Sequence, residues 1–121
     1  MEQNQSMRLT PAKGLYLSRG SSSQHKLTNT TNTAKVAKMK FSDNQLYKVR
    51  PVYIVVPAKE AVGLEIVRYE GPVKEDYLYI WFKNYTGHLT EDSTYDELRV
   101  AYDLAAGPAE KLAIPLIVIG N

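Results

Sequence analysis

The chain is predicted to be all-β: a seven-stranded β-sandwich with one short helix before the last strand. Three observations lead there. Apolar residues recur with period two along most of the 121 residues, as in half-buried strands. Turn-forming clusters break these runs at short, regular intervals, as they do in sandwiches. One late segment alone changes to helical spacing. Hydrophobic residues make up 44% and charged residues 23%, ordinary for a soluble globular protein. The length suits one domain. Residues 1–7 are polar and read as a disordered segment, leaving 8–121 as that single domain.

Taken in order, Leu15-Tyr16-Leu17 is a short strand closed by Gly20 and a turn over Ser21 to Ser23. His25 to Thr31 is a threonine-rich strand, with the next turn supplied by Asn29 to Asn32. From Lys35 to Ser42, Ala37, Met39 and Phe41 share one face while Lys38, Lys40 and Ser42 share the other. Asp43-Asn44 is a turn signal. Tyr47 to Val56 is apolar and β-branched but cut by Pro51, which removes a ladder donor and implies a bend or an edge. Val62, Leu64 and Ile66 line one side of the next strand. Asp76 to Asn84 is the clearest strand, with Leu78, Ile80 and Phe82 inward and Tyr77, Tyr79, Trp81 and Lys83 outward. Thr94-x-x-Glu97 matches a capping box. Tyr95, Leu98, Ala101, Tyr102 and Ala105 then follow helical spacing to a stop at Gly107-Pro108. This places a helix over Thr94 to Ala106, lying across one end of the sheets. The last strand runs from Lys111 to Ile119. Pro11, Pro51 and Pro57 are the candidate cis positions.

Much chemistry is excluded. The chain has no cysteine, so it has no disulfide framework, thiol nucleophile, iron–sulfur cluster or thiolate zinc site. There is no glycine-rich phosphate loop, no nucleophile elbow and no spacing of metal ligands. His25 and His88 read as solvated surface histidines without an orienting partner. Glu91-Asp92 and Asp96-Glu97 read as favourable charge at a helix N-terminus, and Glu75-Asp76 as a turn. No enzymatic activity, cofactor or metal is expected. No apolar run approaches the roughly 20 residues of a membrane span, and the N-terminus lacks an apolar signal segment, so a cytoplasmic protein with no membrane insertion is expected.

Two surface features remain. The first is charge. Residues 1–56 carry nine Lys/Arg against two acids, and residues 57–121 six against eleven, for a net charge of +2. Within the basic half, Lys38, Lys40 and Ser42 form a stripe, expected near Lys48 and Arg50 of the following strand. The second is the outward row Tyr77, Tyr79 and Trp81, whose alternates already supply a core face. That row must be exposed, covered within the chain or covered by a partner. These eight residues are the candidate partner site. Nucleic acid is not an expected partner, because the net charge is small and no RNA-binding motif appears.

The stretches Leu27-Thr28-Asn29-Thr30-Thr31, Ala37-Lys38-Met39-Lys40 and Tyr47-Lys48-Val49-Arg50-Pro51 resemble the core signature of the major sperm protein domain. Leu9-Thr10-Pro11, Ile66 to Gly71 and Lys74-Glu75-Asp76 fit the same family, so that the likeness spans about residues 8–119. Leu-Tyr-Leu-Ser-Arg-Gly is most similar to the small sperm-specific members of nematodes. The resemblance implies an immunoglobulin-like sandwich without catalytic activity. It also implies a place in or beside the actin-free cytoskeleton that drives crawling sperm, acting through protein contacts that include dimers and filaments. A second branch, the VAMP-associated proteins, binds acidic peptides through a Lys-x-Lys-Thr-Thr strand beside a Lys-x-Met strand. Here Lys38, Lys40 and Ser42 match the first strand, Phe41 replaces its first threonine, and Tyr77 and Tyr79 stand where that branch has Lys and Met. The resemblance therefore leaves two partners open: another copy of the chain, or an acidic peptide.

Overall fold

A computed structural model describes residues 6–90 and 92–121. Nine β-segments and one helix build two sheets face to face. The segments are β1 (Met7–Thr10), β2 (Gly14–Leu17), β3 (Ser21–Asn29), β4 (Lys35–Phe41), β5 (Tyr47–Arg50), β6 (Tyr53–Val56), β7 (Ala61–Arg68), β8 (Asp76–Asn84) and β9 (Glu110–Gly120), with α1 (Tyr95–Leu104) before β9. One sheet has the order β1-β3-β7-β5 and the other β2-β9-β8-β4-β6.

The seven strand runs implied by the sequence become nine segments because β1 is an additional strand and Tyr47 to Val56 divides into β5 and β6; at both places the chain changes sheet. β1 pairs with β3 while β2 pairs in parallel with β9, and Pro11 lies between them. β5 pairs with β7 while β6 pairs with β4, and Pro51 lies between those. A proline offers no amide to either ladder, so the chain leaves one sheet there without stranding a donor. Thr10-Pro11 and Arg50-Pro51 are the cis bonds among the described residues.

The core lies between the sheets, where the period-two pattern places it. Ala37, Met39 and Phe41 of β4, Leu78, Ile80 and Phe82 of β8, and Leu112, Ile114 and Leu116 of β9 meet Leu27, Leu64 and Ile66 from the facing sheet. Tyr47 stacks on Phe41 and meets Tyr16 edge-on, both at 5.4 Å between ring centroids.

Several local expectations change. Residues 1–5 lie outside the described residues, but Met7, expected in a disordered segment, is fully buried in β1. Ser21 to Ser23 is strand rather than turn, because its backbone pairs with Ile66 to Arg68 of β7. His25 is buried rather than solvated. The Pro11 carbonyl accepts from its Nδ1 at 2.9 Å, and the Ser23 hydroxyl lies 2.7 Å from its Nε2. Tyr16 closes the chain, its hydroxyl 2.7 Å from Ser23 Oγ. The network satisfies every polar group it buries. Asp76 opens β8, at the bound the alternation over Asp76 to Asn84 implies, and its side chain is buried. Asn29 holds the β3–β4 turn together: its amide donates to the Thr33 and Val56 carbonyls, and its oxygen accepts from Thr31.

The largest buried side chain is Arg68, 1% exposed. Its Nε donates to the Tyr47 hydroxyl, and its two terminal nitrogens donate to the carbonyls of Leu17, Ser18, Tyr69, Gly71 and Pro72. None of these partners is a carboxylate, so neutral dipoles alone balance the buried cation.

Two outcomes follow. Arg68→Leu withdraws a donor from five carbonyls, of which those of Leu17 and Ser18 keep the Gly20 and Gly71 amides, and should cost about 3 kcal/mol or more in urea denaturation. Arg68→Lys should recover only part, because an ammonium lacks the planar fork. Burial pushes the Tyr16 phenol up to about 12. The folded state therefore resists an ionisation that the unfolded chain undergoes near pH 10. The stability Tyr16 contributes should be intact below that pH and be lost as pH rises toward 12. Phenolate absorbance followed alongside circular dichroism should show Tyr16 titrating with alkaline unfolding, and Tyr16→Phe should shift that unfolding upward.

Candidate functional site

The outer face of the five-stranded sheet brings together most of the residues singled out in the sequence. β4 and β8 pair so that Lys38 stands opposite Trp81 and Lys40 opposite Tyr79. β9 continues these rows, with Lys111 opposite Trp81, Ala113 opposite Tyr79 and Pro115 opposite Tyr77. At the far edge Leu15 of β2 stands opposite Ile117. Lys111 was not among the sequence candidates. Its signal was its alternation with Leu112 and Ile114, but its place over the aromatic row depends on a register the sequence does not reveal. Its Nζ lies 5.1 Å from the Tyr79 ring and 5.0 Å from the Trp81 ring, within cation–π range. Tyr77 and Tyr79 stack at 6.1 Å.

Helix α1 divides this face. It forms as the sequence implies: Thr94 accepts from the Glu97 amide, and Glu97 accepts from the Thr94 amide. It does not lie across one end of the sheets. It packs on the outer face, over β4 and β6, because Val36, Tyr53 and Val55 present apolar side chains there and Leu98 and Tyr102 bury against them. Trp81 packs against the same cluster. Lys83 donates to the Tyr102 carbonyl at 3.0 Å, and its Nζ lies 4.4 Å from that ring, with Lys38 Nζ at 5.8 Å. The aromatic row is thus split. Trp81 is half-buried beneath the helix, whereas Tyr77 is exposed and Tyr79 half-exposed.

Ser42 ends the basic stripe but is structurally occupied. Its hydroxyl donates to buried Asp76 at 2.7 Å and accepts from the Tyr77 amide at 2.9 Å. Lys74 joins this clasp, 2.8 Å from Asp76 and 3.0 Å from Asp43. Its hydrogen bonds to those two carboxylates hold its ammonium above the usual range. The Lys74 hydrogen bond, then the Leu46 and Gln45 amides, hold the Asp43 carboxyl below its usual range. The clasp fixes the start of β8, and with it Tyr77.

Lys48 and Arg50 do not join the site. β5 belongs to the other sheet, where they pair opposite Val67 and Glu65. They project from the opposite side of the sandwich because the chain crosses between sheets at Pro51. Among the described residues no carboxylate forms an ion pair with Lys38, Lys40, Lys83 or Lys111. The face therefore combines uncompensated positive charge with accessible aromatic and aliphatic surface, which suits a protein surface of opposite charge. Among the described residues no cluster of His, Cys, Asp and Glu could hold a metal ion, and no helix is long and apolar enough to cross a membrane.

This architecture is that of an immunoglobulin-like β-sandwich. The MSP (Major sperm protein) domain family model matches residues 6–99, and the chain belongs to that family. It is 40% identical over 74 residues to sperm-specific class P protein 31 of Caenorhabditis elegans, covering 61% of this chain and 69% of that one. Among solved structures it is similar to SSP-19, an MSP-domain protein like family member of the same nematode, with a TM-score of 0.79 and 29% identity over 92% of this chain and 98% of that one. WR4, a C. elegans MSP family member, matches with a TM-score of 0.74 and 28% identity over 96% of this chain and 100% of that one.

The division of the face has a measurable consequence. Trp81→Ala removes packing beneath α1 and should destabilise the fold by about 2–3 kcal/mol in urea denaturation. Tyr77→Ala should stay within about 0.5 kcal/mol of the parent.

Proposed function

We propose that this chain is a non-enzymatic protein of the cytoskeleton of amoeboid sperm, working through protein–protein contact and self-association in motility. The observation that carries this reading is the outer face of the five-stranded sheet. Four lysines lie there on and beside an aromatic row, with no carboxylate pairing with them among the described residues. Family membership and the sperm-specific class P relatives support a sperm location, and family resemblance supports a structural rather than catalytic role. The acidic balance of residues 57–121 supplies, in a second copy, charge of the sign this face attracts. A cytoplasmic place within the cell follows from the same reading.

The same lysines support a second reading, in which a single copy holds an acidic peptide of a partner protein. The two separate on concentration dependence. Light scattering across protein concentration should show mass rising above one chain at low salt and falling back at moderate salt. Lys40→Glu combined with Tyr79→Ala should abolish the rise. Lys48→Glu combined with Arg50→Glu, on the opposite sheet, should leave it unchanged. One chain at every concentration, with saturable binding of an acidic aromatic peptide, would replace self-association with the adaptor reading.

A further inference from the structure

The outer face of the four-stranded sheet is chemically unlike the one described above. Helix α1 packs on the other sheet, so this face is built from strand side chains alone. Alternation along β1, β3 and β5 turns Arg8, Lys26, Lys48 and Arg50 outward, and all four are exposed. They span the sheet from one edge strand to the other, a width of about 14 Å. Glu65 is the one acid at the outward positions of these four strands. It stands opposite Arg50 and accepts from the Gln24 side-chain amide at 2.9 Å. Among the described residues it forms no ion pair with any of the four cations.

The surface between the cations is low. Ser22, Thr28, Ala61 and Gly63 occupy it, and a Cβ at Gly63 would meet nothing within 4 Å. None of the exposed large apolar side chains lies on these strands. A protein partner needs aromatic or aliphatic anchors near the centre of its contact. A single-stranded nucleic acid needs rings on which its bases stack. The outward positions of these strands supply neither. A surface of anionic headgroups needs only several cations that reach one plane together. The five-stranded sheet does not meet that condition. Helix α1 stands about 10 Å above its strands, and the exposed Asp96 and Asp103 of the helix lie beside the lysines.

We propose that the outer face of the four-stranded sheet docks the chain on an anionic lipid bilayer, with Arg8, Lys26, Lys48 and Arg50 at the headgroup plane. The contact is peripheral and electrostatic, without insertion, so salt reverses it. It does not depend on self-association. It leaves the lysine and aromatic face of the other sheet turned away from the bilayer, so a docked chain still offers that face to a partner.

Co-sedimentation of dilute protein with vesicles tests this at low and at moderate salt. Vesicles of equal parts phosphatidylcholine and phosphatidylserine should bind the chain at low salt and release it at moderate salt. Phosphatidylcholine alone should not bind it. Each cation at such a surface contributes about fivefold in affinity. Lys48→Glu combined with Arg50→Glu should therefore weaken binding at least about twentyfold, with an unchanged circular dichroism spectrum. Lys40→Glu combined with Lys111→Glu changes net charge equally on the other sheet and should leave binding within about twofold. Gly63→Lys adds a cation at the open centre of the face and should strengthen binding about fivefold, a gain restricted to the mixed vesicles. No binding to the mixed vesicles at low salt would overturn the proposal, whether or not the chain self-associates. Equal losses from the two double variants would overturn the assignment of this face and leave only net charge. A single-stranded oligonucleotide that binds more tightly and displaces the vesicles through the same residues would replace the bilayer with nucleic acid.

Discussion

A single buried guanidinium fixes one end of this sandwich. Arg68 projects from β7 of the four-stranded sheet, yet its acceptors lie at Leu17, the last residue of β2, at Ser18 after it, and at Gly71 and Pro72, which lead toward β8. β2 and β8 both belong to the five-stranded sheet. One side chain thus ties the loops of one sheet to the last residue of a strand in the other. An arginine serves because it offers five donors in a fixed plane and stays charged at any physiological pH. Its charge is spread over carbonyl dipoles rather than a carboxylate, so the clamp has no acid partner whose titration would release it. The Tyr47 ring, 5.7 Å away, adds a cation–π contact and joins the clamp to the aromatic core. The strands tied in this way, β2 and β8, carry Leu15, Tyr77 and Tyr79 of the candidate face.

Much of this architecture was legible in the sequence because it depends on local periodicity. The alternation in β4 and β8 identified the inner and outer faces correctly. The Thr94–Glu97 capping box located the start of α1 because its chemistry lies within four residues. Features that depend on distant partners were not legible. The Ser21 to Ser23 run has the composition of a turn, and only pairing with β7 makes it a strand. His25 is buried because Pro11, fourteen positions away, supplies an acceptor for it. Met7 follows a polar stretch, yet β1 buries it through its pairing with β3.

The candidate site shows the same limit. The outward facing of Lys40 and Tyr79 follows from alternation, but their juxtaposition follows from register. Lys48 and Arg50 sit close to the stripe along the chain and on the opposite side of the molecule in space, because Pro51 marks a change of sheet rather than a bend within one. The position of α1 was the least accessible feature. Its apolar stripe announces burial without saying against what. Val36, Tyr53 and Val55 supply the answer by giving β4 and β6 a second apolar face. By settling there, the helix covers Trp81, leaves Tyr77 bare and puts an acidic surface beside a basic one.

That arrangement turns a charge asymmetry along the sequence into a local one on a single face. The two halves of the chain differ in sign, but what can matter for association is that Lys40 and Lys111 lie one helix away from Asp96 and Asp103 on the same side of the sandwich. The most direct measurement is a nitrogen-15 amide spectrum recorded through a dilution series at low salt. The expected result is that Lys40, Tyr77, Tyr79 and Lys111 shift together with Asp96, Val100 and Leu104, along one concentration curve, while Lys48 and Arg50 stay fixed. Shifts confined to β5, or a spectrum independent of concentration, would contradict the assignment of this face as the surface through which the protein acts.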